Sequence, residues 1–348
     1  MFKLLQNAFY LKTCIKSSRF IYSNEQQRKS STWRILFFGN DDFAAPTLNS
    51  LVKELRRRRF ISRLDVVTSA KYTLSNPVAK IVNKEELQSR EWPVKDLKAN
   101  EYDVGVVVSF GHLIPSRIIS MFPFGMINIH ASLLPRWRGA APIMHALMAG
   151  DEEVGVTLMK IHPHRFDVGE IVSQKKISVP LHLTRKELTP QLAVLGAELI
   201  EDALPGLAQK LAAAVPQPEN GVTLAPKIDS SYGKFDWNNI TAIELYNRWR
   251  GLHGAIPLFT KWGSKTIKLE KLEPPVSDSV ATPLTKDLNV RPGILLYHKK
   301  RRTILCRCVD SWIQISELCL VGRPVQKALD FRNGFLLKEH RDNWYFGP

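Results

Sequence analysis

WRILFFGNDDFAAPTLNSLVKEL, residues 33 to 55, is the segment from which the fold class of this chain follows. Its first seven residues, Trp33 to Gly39, form a short apolar run that ends in glycine, which is typical of a buried strand. The residues that follow begin with two aspartates and continue with apolar side chains at helical spacing, as a capped helix does. A strand followed directly by a helix predicts the opening of an α/β domain.

The same alternation of strand and helix continues to about residue 180. The predicted elements are strands at LDVVTSA near residue 66, YDVGVVVSFG (102–111) and GMINIHAS (125–132), a helix at 141–149, and two alternating segments expected at the sheet edge, VGVTLMKI and EIVSQKKISV. The segment at 102–111 is apolar on both faces, as buried parallel strands are. This order predicts a doubly wound, mostly parallel, Rossmann-like sheet.

The sequence pattern changes in the second half of the chain. Residues 188–214 are largely helical in pattern, with a break expected at Pro205, and a turn-rich stretch begins the linker that we place at 215–224. The segments beyond it are short, alternating and β-branched: TIKLEKL, GILLYH, TILCRCV and WIQISEL. They predict a small, mainly antiparallel barrel or sandwich, for which we take a barrel-like (OB-like) form. We expect an α/β domain at 33–214 and a β-rich domain at 225–348.

Charge is distributed unevenly over the 348 residues, which carry a formal net charge of +16. Residues 1–32 hold six Lys and Arg against one acid, and residues 223–348 hold twenty against twelve. An enzyme acting on small substrates alone has no need of such an excess, whereas a protein that binds a polyanion does. The apolar runs, such as Val104 to Phe110, are far shorter than the roughly 20 residues of a membrane span.

Residues 1–32 are basic, contain serines and interleave Phe, Leu and Ile, which is typical of a mitochondrial presequence. The alternative is a basic arm that binds RNA directly. A secretory signal fits less well, because no compact apolar stretch stands alone there. The four cysteines, Cys14, Cys306, Cys308 and Cys319, form neither a CxxC pair nor a zinc pattern. We expect reduced thiols and no metal.

INIHASLLPRWRGAAP, residues 127–142, holds the densest chemical pattern. Asn128 and His130 lie two apart on a predicted strand, so they share one face near its carboxyl end, where open α/β sheets place their ligands. An amide and an imidazole together can stabilise an oxyanion and move a proton. Asp167 is the candidate that orients the imidazole. Taken singly, such a histidine is more often structural and such an aspartate a turn former.

The segment NIHASLLPRWRG closely resembles the signature of the folate-dependent formyltransferases, and LPRWRGAAPI is the form typical of members that act on methionyl-tRNA. RILFFGNDDFAAPTL and YDVGVVVSFGHLIP resemble two further segments of that family. The resemblance covers about residues 33 to 180, with a weaker match at APKI (225–228) and in the second domain. It implies transfer of a formyl group from 10-formyltetrahydrofolate to the amino group of initiator methionyl-tRNA, for translation initiation in the mitochondrial matrix.

The resemblance also implies roles for individual residues. Asn128, His130 and Asp167 match the catalytic trio of the family. Other residues match the folate site: Ser132, Leu133, Leu134 and Pro135 line it, and Phe110 and Gly111 lie beside its pterin pocket. The chain departs from the bacterial pattern after the second strand, where a basic insertion that grips the acceptor stem is not evident. Lys71 is the candidate substitute.

Several basic clusters are candidates for tRNA contact. They are Arg136 and Arg138 around Trp137, Arg248 and Arg250 around Trp249, and Lys299, Lys300, Arg301 and Arg302 in a predicted hairpin. The alternative for the first cluster is a packed tryptophan between solvated arginines, and for the hairpin a solvated turn. The net positive charge of the second domain favours phosphate contact there.

The sequence also carries features that bear on alternative functions. FGNDDFA lacks GxGxxG, which excludes a dinucleotide cofactor, and the histidines show only a weak HxH at 162 and 164. A formyltransferase for a small amine such as glycinamide ribonucleotide would not require the basic second domain. An RNA-binding protein with a retired formyltransferase fold would have no physical reason to keep Asn128, His130 and Asp167. We expect a monomer.

Overall fold

The computed structural model describes residues 32–68, 76–285 and 290–347. Its first part contains seven strands: β1 Trp33–Gly39, β2 Ile61–Thr68, β3 Ser89–Glu91, β4 Val104–Val108, β5 Met126–His130, β6 Glu153–Lys160 and β7 Ile171–Ser178. They form one sheet in the order β3-β2-β1-β4-β5-β6-β7. The first five strands are parallel, while β6 and β7 run antiparallel to their neighbours. The predicted doubly wound, mostly parallel sheet is confirmed.

Six helices accompany this sheet in the described chain: α1 Ala45–Arg57, α2 Pro77–Lys84, α3 Ser116–Ile119, α4 Pro142–Ala149, α5 Arg185–Ala203 and α6 Leu207–Ala212. The predicted break at Pro205 falls between α5 and α6. Strand β7 lies at the sheet edge as expected, but β6 is buried between β5 and β7. Apolar side chains of β1, β4 and β5 are fully buried beneath the helices, which explains why these strands read as continuous apolar runs.

The second part is built mainly from antiparallel strands. Its described elements are α7 Ala242–Leu252, β8 Leu258–Trp262, β9 Lys265–Val276, α8 Asp278–Ala281, β10 Leu295–His298, β11 Thr303–Arg307, β12 Trp312–Leu320, β13 Gln326–Lys327 and α9 Ala328–Gly334. Short 3-10 turns lie at Ser230–Gly233, Thr282–Leu284, Leu336–Lys338 and Arg341–Asn343. The main strand path is β10-β11-β12-β9-β8.

The C-terminal segment closes this path into a barrel. Gly347 exchanges backbone hydrogen bonds with Lys261 of β8, and the amide of Phe346 donates to Gly293 just before β10, at 2.8 Å. Gly293 has φ +89°, and a Cβ there would lie 2.1 Å from the Phe346 carbonyl oxygen, so only glycine permits this close approach. The expected barrel-like domain is thus confirmed, with residues 345–347 as the segment that closes it through isolated bridges.

The two parts meet through helix α7, which the sequence analysis did not predict. A capping box begins it: Glu244 accepts from the Thr241 amide at 2.9 Å, and the Thr241 hydroxyl accepts from the Glu244 amide at 3.2 Å. α7 packs against α4 of the first part. The connecting segment 215–224 is also fastened to the first part, because Val215 pairs with Ile171 and Leu224 with Arg138.

Candidate active site

The strand order reverses between β1 and β4, and this switch point opens the crevice expected of such sheets. The loops after the two strands are tied together across it. The Asn40 amide donates to the Phe110 carbonyl at 2.7 Å, and the Ser109 hydroxyl donates to Asp41. Asp41 also accepts from the amides of Phe43 and Ala44, which fixes the entry into α1. These contacts hold the mouth of the crevice in one geometry.

A cavity of about 710 Å³ extends from this switch point across the end of β5. The sequence-predicted residues in its lining are Phe110, Gly111, Asn128, His130 and Asp167. Asn128 and His130 lie on β5, two residues apart, while Asp167 comes from the loop between β6 and β7. The fold therefore brings together three residues that span 39 positions of sequence and arise from two different elements.

The imidazole of His130 is 6% exposed and has acceptors on both sides. Its Nδ1 lies 3.5 Å from Oδ1 of Asp167, and its Nε2 lies 2.9 Å from the Trp137 carbonyl oxygen. A carbonyl can only accept, so Nε2 carries a hydrogen, and an ionised carboxylate also only accepts. The imidazole is therefore held between two acceptors, the Trp137 carbonyl and the Asp167 carboxylate.

Hydrogen bonds to both the side chain and the backbone of Asp167 fix its position. Its Oδ2 accepts from the Gly139 amide at 3.0 Å, and its own carbonyl accepts from the Gln217 amide at 2.9 Å. Gly139 has φ +131°, and a Cβ there would lie 2.4 Å from the carbonyl oxygen of Ala225. The glycine of the WRG segment is therefore required by close backbone packing, and its amide helps to fix the carboxylate.

The wall formed after β4 is aromatic. Phe110 contacts Trp92 edge-on with 5.3 Å between ring centroids, and His112 at 5.1 Å. Gly111 has φ +77° and nothing within 4 Å of a built Cβ, so the chain turns there beside open space. A flat ring system can pack against this wall. This is compatible with the prediction that Phe110 and Gly111 lie beside the pterin pocket.

Residues 132–135 do not line this cavity, although the sequence analysis assigned them to the folate site. The Ser132 hydroxyl donates to the Arg136 carbonyl at 2.6 Å, and the Leu134 amide donates to the Thr157 hydroxyl at 3.1 Å. Ser132 and Leu134 are buried. The structure therefore supports a positioning role for this turn behind His130, and contact of Ser132, Leu133, Leu134 and Pro135 with folate stays a prediction.

The side chains of the RWR segment are half-buried, and each has a partner within the protein. Arg136 donates twice to Asp151, at 2.8 and 2.6 Å, and the hydrogen bonds of this pair raise the pKa of the guanidinium. Trp137 donates its indole N–H to the same carboxylate at 2.7 Å and stacks on His145. Arg138 donates twice to the Gln217 side chain. The packed tryptophan is confirmed, while the arginines are occupied by internal partners.

The second cluster needs a correction. Arg250 is 2% exposed and donates to Asn247 at 2.8 Å, with the carbonyls of Pro180 and Leu183 at 3.5 Å. Burial lowers its pKa. This side chain is buried where α7 meets the first domain, so the expectation that it contacts tRNA is wrong. Arg248 is half-buried and donates to the Lys234 carbonyl at 2.9 Å.

The remaining candidates lie elsewhere. Lys299, Lys300, Arg301 and Arg302 are exposed in the turn between β10 and β11, which confirms the predicted hairpin. Lys71 and residues 1–31 lie outside the described residues. Cys306, Cys308 and Cys319 are buried free thiols, and burial raises the pKa of Cys308 to about 12.

Sequence reasoning missed several residues around the cavity. Asp41 stood out only as a helix-capping residue, and Arg165, Phe166 and Arg185 carried no motif of their own. Phe166 is 62% exposed beside the cavity.

Glu170 pairs with His162 at 3.0 Å. Burial raises the pKa of Glu170, but the bond from His162 and neighbouring donors outweigh it, so the net shift is downward.

Two kinds of feature are absent from the described part of the chain. Within it, no group of three or more His, Cys, Asp or Glu side chains is placed to hold a metal ion. No helix found there has the length and apolar character needed to cross a bilayer.

Comparison with known families covers most of the chain. The family described as Formyl transferase matches residues 34–204, and the family described as Formyl transferase, C-terminal domain, matches residues 227–336. The first match includes Asn128, His130 and Asp167, which line the cavity. The second contains most of the barrel.

Curated relatives match over nearly the full length. The mitochondrial methionyl-tRNA formyltransferase of Mus musculus is 37% identical over 324 residues, covering 92% of this chain and 83% of the relative. The Homo sapiens enzyme of the same name is 38% identical, covering 91% and 81%. The methionyl-tRNA formyltransferase of Caldicellulosiruptor saccharolyticus is 32% identical, covering 88% and 98%.

Solved structures resemble the chain in fold. A sugar 3N-formyl transferase, WlaRD, crystallised in the presence of dTDP and 5-N-formyl-THF, gives a TM-score of 0.62 at 15% identity, covering 85% of this chain and 100% of that one. An N-formyltransferase from Helicobacter canadensis, in complex with folinic acid and dTDP-3-aminofucose, gives 0.61 at 15% identity, covering 82% and 98%. At this identity the likeness concerns the fold alone.

Proposed function

The chain belongs to the methionyl-tRNA formyltransferases, and we propose that it acts as a monomer in the mitochondrial matrix with 10-formyltetrahydrofolate as formyl donor. It is a mitochondrial transferase that uses a folate co-substrate and places a formyl group on the amino group of methionyl-tRNA. The product, formylmethionyl-tRNA, serves initiation of mitochondrial translation. The observation that carries the proposal is the grouping of Asn128, His130 and Asp167 around one cavity.

The proposed division of labour follows the two parts of the fold. Residues 33–214 carry catalysis, 215–224 connect, and 225–348 supply affinity for tRNA, after removal of a presequence at 1–32. The net charge of +8 in the second part supports this division, because phosphates are bound largely through Lys and Arg.

In the proposed reaction the methionine amine attacks the formyl carbon, and the bond from that carbon to the folate nitrogen breaks. The Asn128 amide donates to the oxyanion that develops on the formyl oxygen. One donor of this kind is commonly worth about 3 to 4 kcal/mol. His130 exchanges its Nε2 bond to the Trp137 carbonyl for one to the substrates, takes up the proton lost by the amine and passes a proton to the departing folate nitrogen. Asp167, whose Oδ1 lies 3.5 Å from Nδ1, orients the imidazole for this transfer.

The folate is proposed to enter along the aromatic wall at Phe110 and Gly111, with residues 132–135 supporting β5 from behind. The proposal includes no metal, because the attacking group is an amine and needs no activated water. It includes no dinucleotide, because the turn after β1 lacks the glycines that such a cofactor requires.

The test is a formyl-transfer assay with protein lacking residues 1–32. The protein is incubated with 10-formyltetrahydrofolate and either mitochondrial methionyl-tRNA or glycinamide ribonucleotide, and formylation of each acceptor is measured. We expect the tRNA alone to be formylated. Formylation of the small amine would keep the trio but overturn the acceptor, and transfer to neither would favour a retired fold.

A further inference from the structure

Arg185 is a cation of the cavity lining that the proposed reaction does not use. It is the first residue of helix α5 and is half-buried. Its Nε is shielded from solvent and has no hydrogen-bond partner among the described residues. Its Nη2 donates to the His253 carbonyl at 3.4 Å, which is long for a hydrogen bond. Unpaired buried donors are rare in folded proteins, and a functional role is one reason that they occur.

Glu187 in the same helical turn and Asp41 in the same cavity lining have partners of their own. Glu187 accepts from the amide and the hydroxyl of Thr184, at 2.8 and 2.7 Å, as part of a capping box. Asp41 accepts from the Ser109 hydroxyl and from two backbone amides at the start of α1. The charge of Arg185 is therefore available at the cavity wall.

The cavity has two walls, which belong to opposite faces of the sheet. Phe110 packs with Leu36 in one buried cluster, whereas Leu188 of α5 packs with Ile35 in another. Ile35 and Leu36 are neighbours on β1, and successive side chains of a strand point to opposite faces. Arg185 thus lies across the sheet edge from the aromatic wall that is proposed to receive the folate.

The second domain meets the first on the Arg185 side of the cavity. α7 packs against α4, whose first residues, 142–144, line the cavity. The Arg185 guanidinium approaches the His253 carbonyl directly after α7. Because this domain is proposed to supply affinity for tRNA, the methionine-bearing end of the tRNA enters on this side. The two substrates then meet at the end of β5, where Asn128 and His130 lie.

We propose that Arg185 is a positioning residue that binds the phosphate of the terminal nucleotide of methionyl-tRNA. This phosphate is the anion nearest to the reacting amine, because it is attached to the same ribose that carries the methionine ester. The planar donors of arginine match phosphate oxygens and form charge-assisted hydrogen bonds with them. The contact holds the amine against the formyl carbon. The inference rests on the proposed function and deepens it by naming a residue that orients the acceptor.

The test removes the charge of this phosphate and the charge of Arg185, separately and together. The full chain and its Arg185→Gln variant are assayed with 10-formyltetrahydrofolate and two methionylated acceptor-stem hairpins. One hairpin has normal linkages, and in the other the last linkage is a neutral methylphosphonate. We expect the neutral linkage to lower kcat/KM of the wild type about 30-fold, mainly through KM. It should lower that of the variant by no more than about twofold, because the contact is already lost.

The comparison is made within each protein, so it does not depend on the stability of the variant. A variant that is merely less well folded would still respond to the neutral linkage as the wild type does. Equal sensitivity of the wild type and Arg185→Gln to the linkage overturns the proposal. A wild type that formylates both hairpins equally well also overturns it, and leaves the proposed function intact.

The matched control is Lys186→Gln. Lys186 carries the same charge in the same helical turn, but its side chain is exposed and does not line the cavity. We expect this control to keep the full response to the neutral linkage. Loss of the response in the control as well would show that general positive charge is responsible. Arg185→Lys keeps the charge without the planar donors, and we expect it to retain a response of about fivefold.

A binding measurement separates this inference from the proposed function. The affinities of the two hairpins are compared by competition in a filter assay, which requires no catalysis. We expect the wild type to prefer the charged linkage and Arg185→Gln to bind both hairpins equally. A wild type that shows this preference but formylates neither hairpin refutes the proposed function alone. A wild type without the preference refutes the contact with Arg185.

Discussion

Two basic clusters, the RWR segment beside the cavity at β5 and the hairpin cluster of residues 299–302 at a second cavity, of about 720 Å³ in the barrel, have opposite surroundings. The cations of the RWR segment are occupied within the protein: Arg136 by Asp151, and Arg138 by Gln217. Around the second cavity, four lining cations have no carboxylate partner in the described chain. Both sets include basic clusters that the sequence marked as candidates for tRNA contact.

This contrast shows that the role of a basic cluster depends on the neighbours that the fold places beside it. An arginine bound twice by a carboxylate holds a loop in place, whereas an unpaired one on a cavity wall is available to a ligand. The first cluster is tied to Asp151 and Gln217, which fixes the turn that follows His130.

His130, the proposed catalytic histidine, should give the strongest response to substitution. His130→Ala removes the group proposed to relay the proton, so turnover should fall by about 10³-fold. The affinity for methionyl-tRNA should stay nearly intact, since the imidazole is buried and faces Asp167 and Trp137. Single-turnover formylation and filter binding measure the two quantities. A variant that kept most of its rate would contradict the assigned role.

A pair of variants tests whether the carboxylates of Asp167 and Asp151 have different roles. Asp167→Asn keeps an acceptor for the Gly139 amide but removes the charge beside His130, and we expect about a 10²-fold lower kcat with little change in Tm. The control Asp151→Asn weakens the ties to Arg136 and Trp137, and should lower Tm more than kcat. Calorimetry and steady-state kinetics distinguish them, and the reverse pattern would exchange the two roles.

A third variant sharpens the correction at the domain junction. Arg250→Ala removes a buried side chain bonded to Asn247, and a decrease of about 2 kcal/mol in the free energy of unfolding should lower Tm by about 5 °C. The salt dependence of tRNA binding should not change. Arg248→Ala, on the more exposed side of the same helix, is the control and should affect Tm little. A reduced salt slope in the Arg250 variant would restore its assignment to tRNA.

A change of pH should have the weakest effect. Burial, together with nearby Lys186, lowers the pKa of His253, so the folded protein favours the neutral ring. The stabilisation is therefore full above the ordinary histidine pKa of 6.5 and is lost as pH falls through the lower folded value. Tm should drop by about 2 °C more between pH 7.5 and 5.5 in the wild type than in His253→Gln. Equal drops would show that another group is responsible.

The fold class could be predicted from sequence because local patterns report burial directly. The apolar runs at β1, β4 and β5 became the buried centre of the parallel sheet, and the short alternating segments became the barrel. Helix α7 was not predicted, although the capping box of Thr241 and Glu244 that begins it is a sequence signal for the start of a helix. The closing role of residues 345–347 could not be seen, since it depends on pairing with β8 and with the residues before β10, far away in the chain.

Sequence patterns alone were enough to predict the sheet, the barrel, the family motif and the candidacy of Asn128, His130 and Asp167. The folded structure was needed to establish that Asp167 lies beside His130, that Arg250 is buried, and that Arg332 and Arg341 join the hairpin cations around one cavity. The physical reason is the distance along the chain over which each interaction acts. Periodicity and capping act between residues a few positions apart, whereas pairing and burial of charge depend on contacts between segments that only folding brings together.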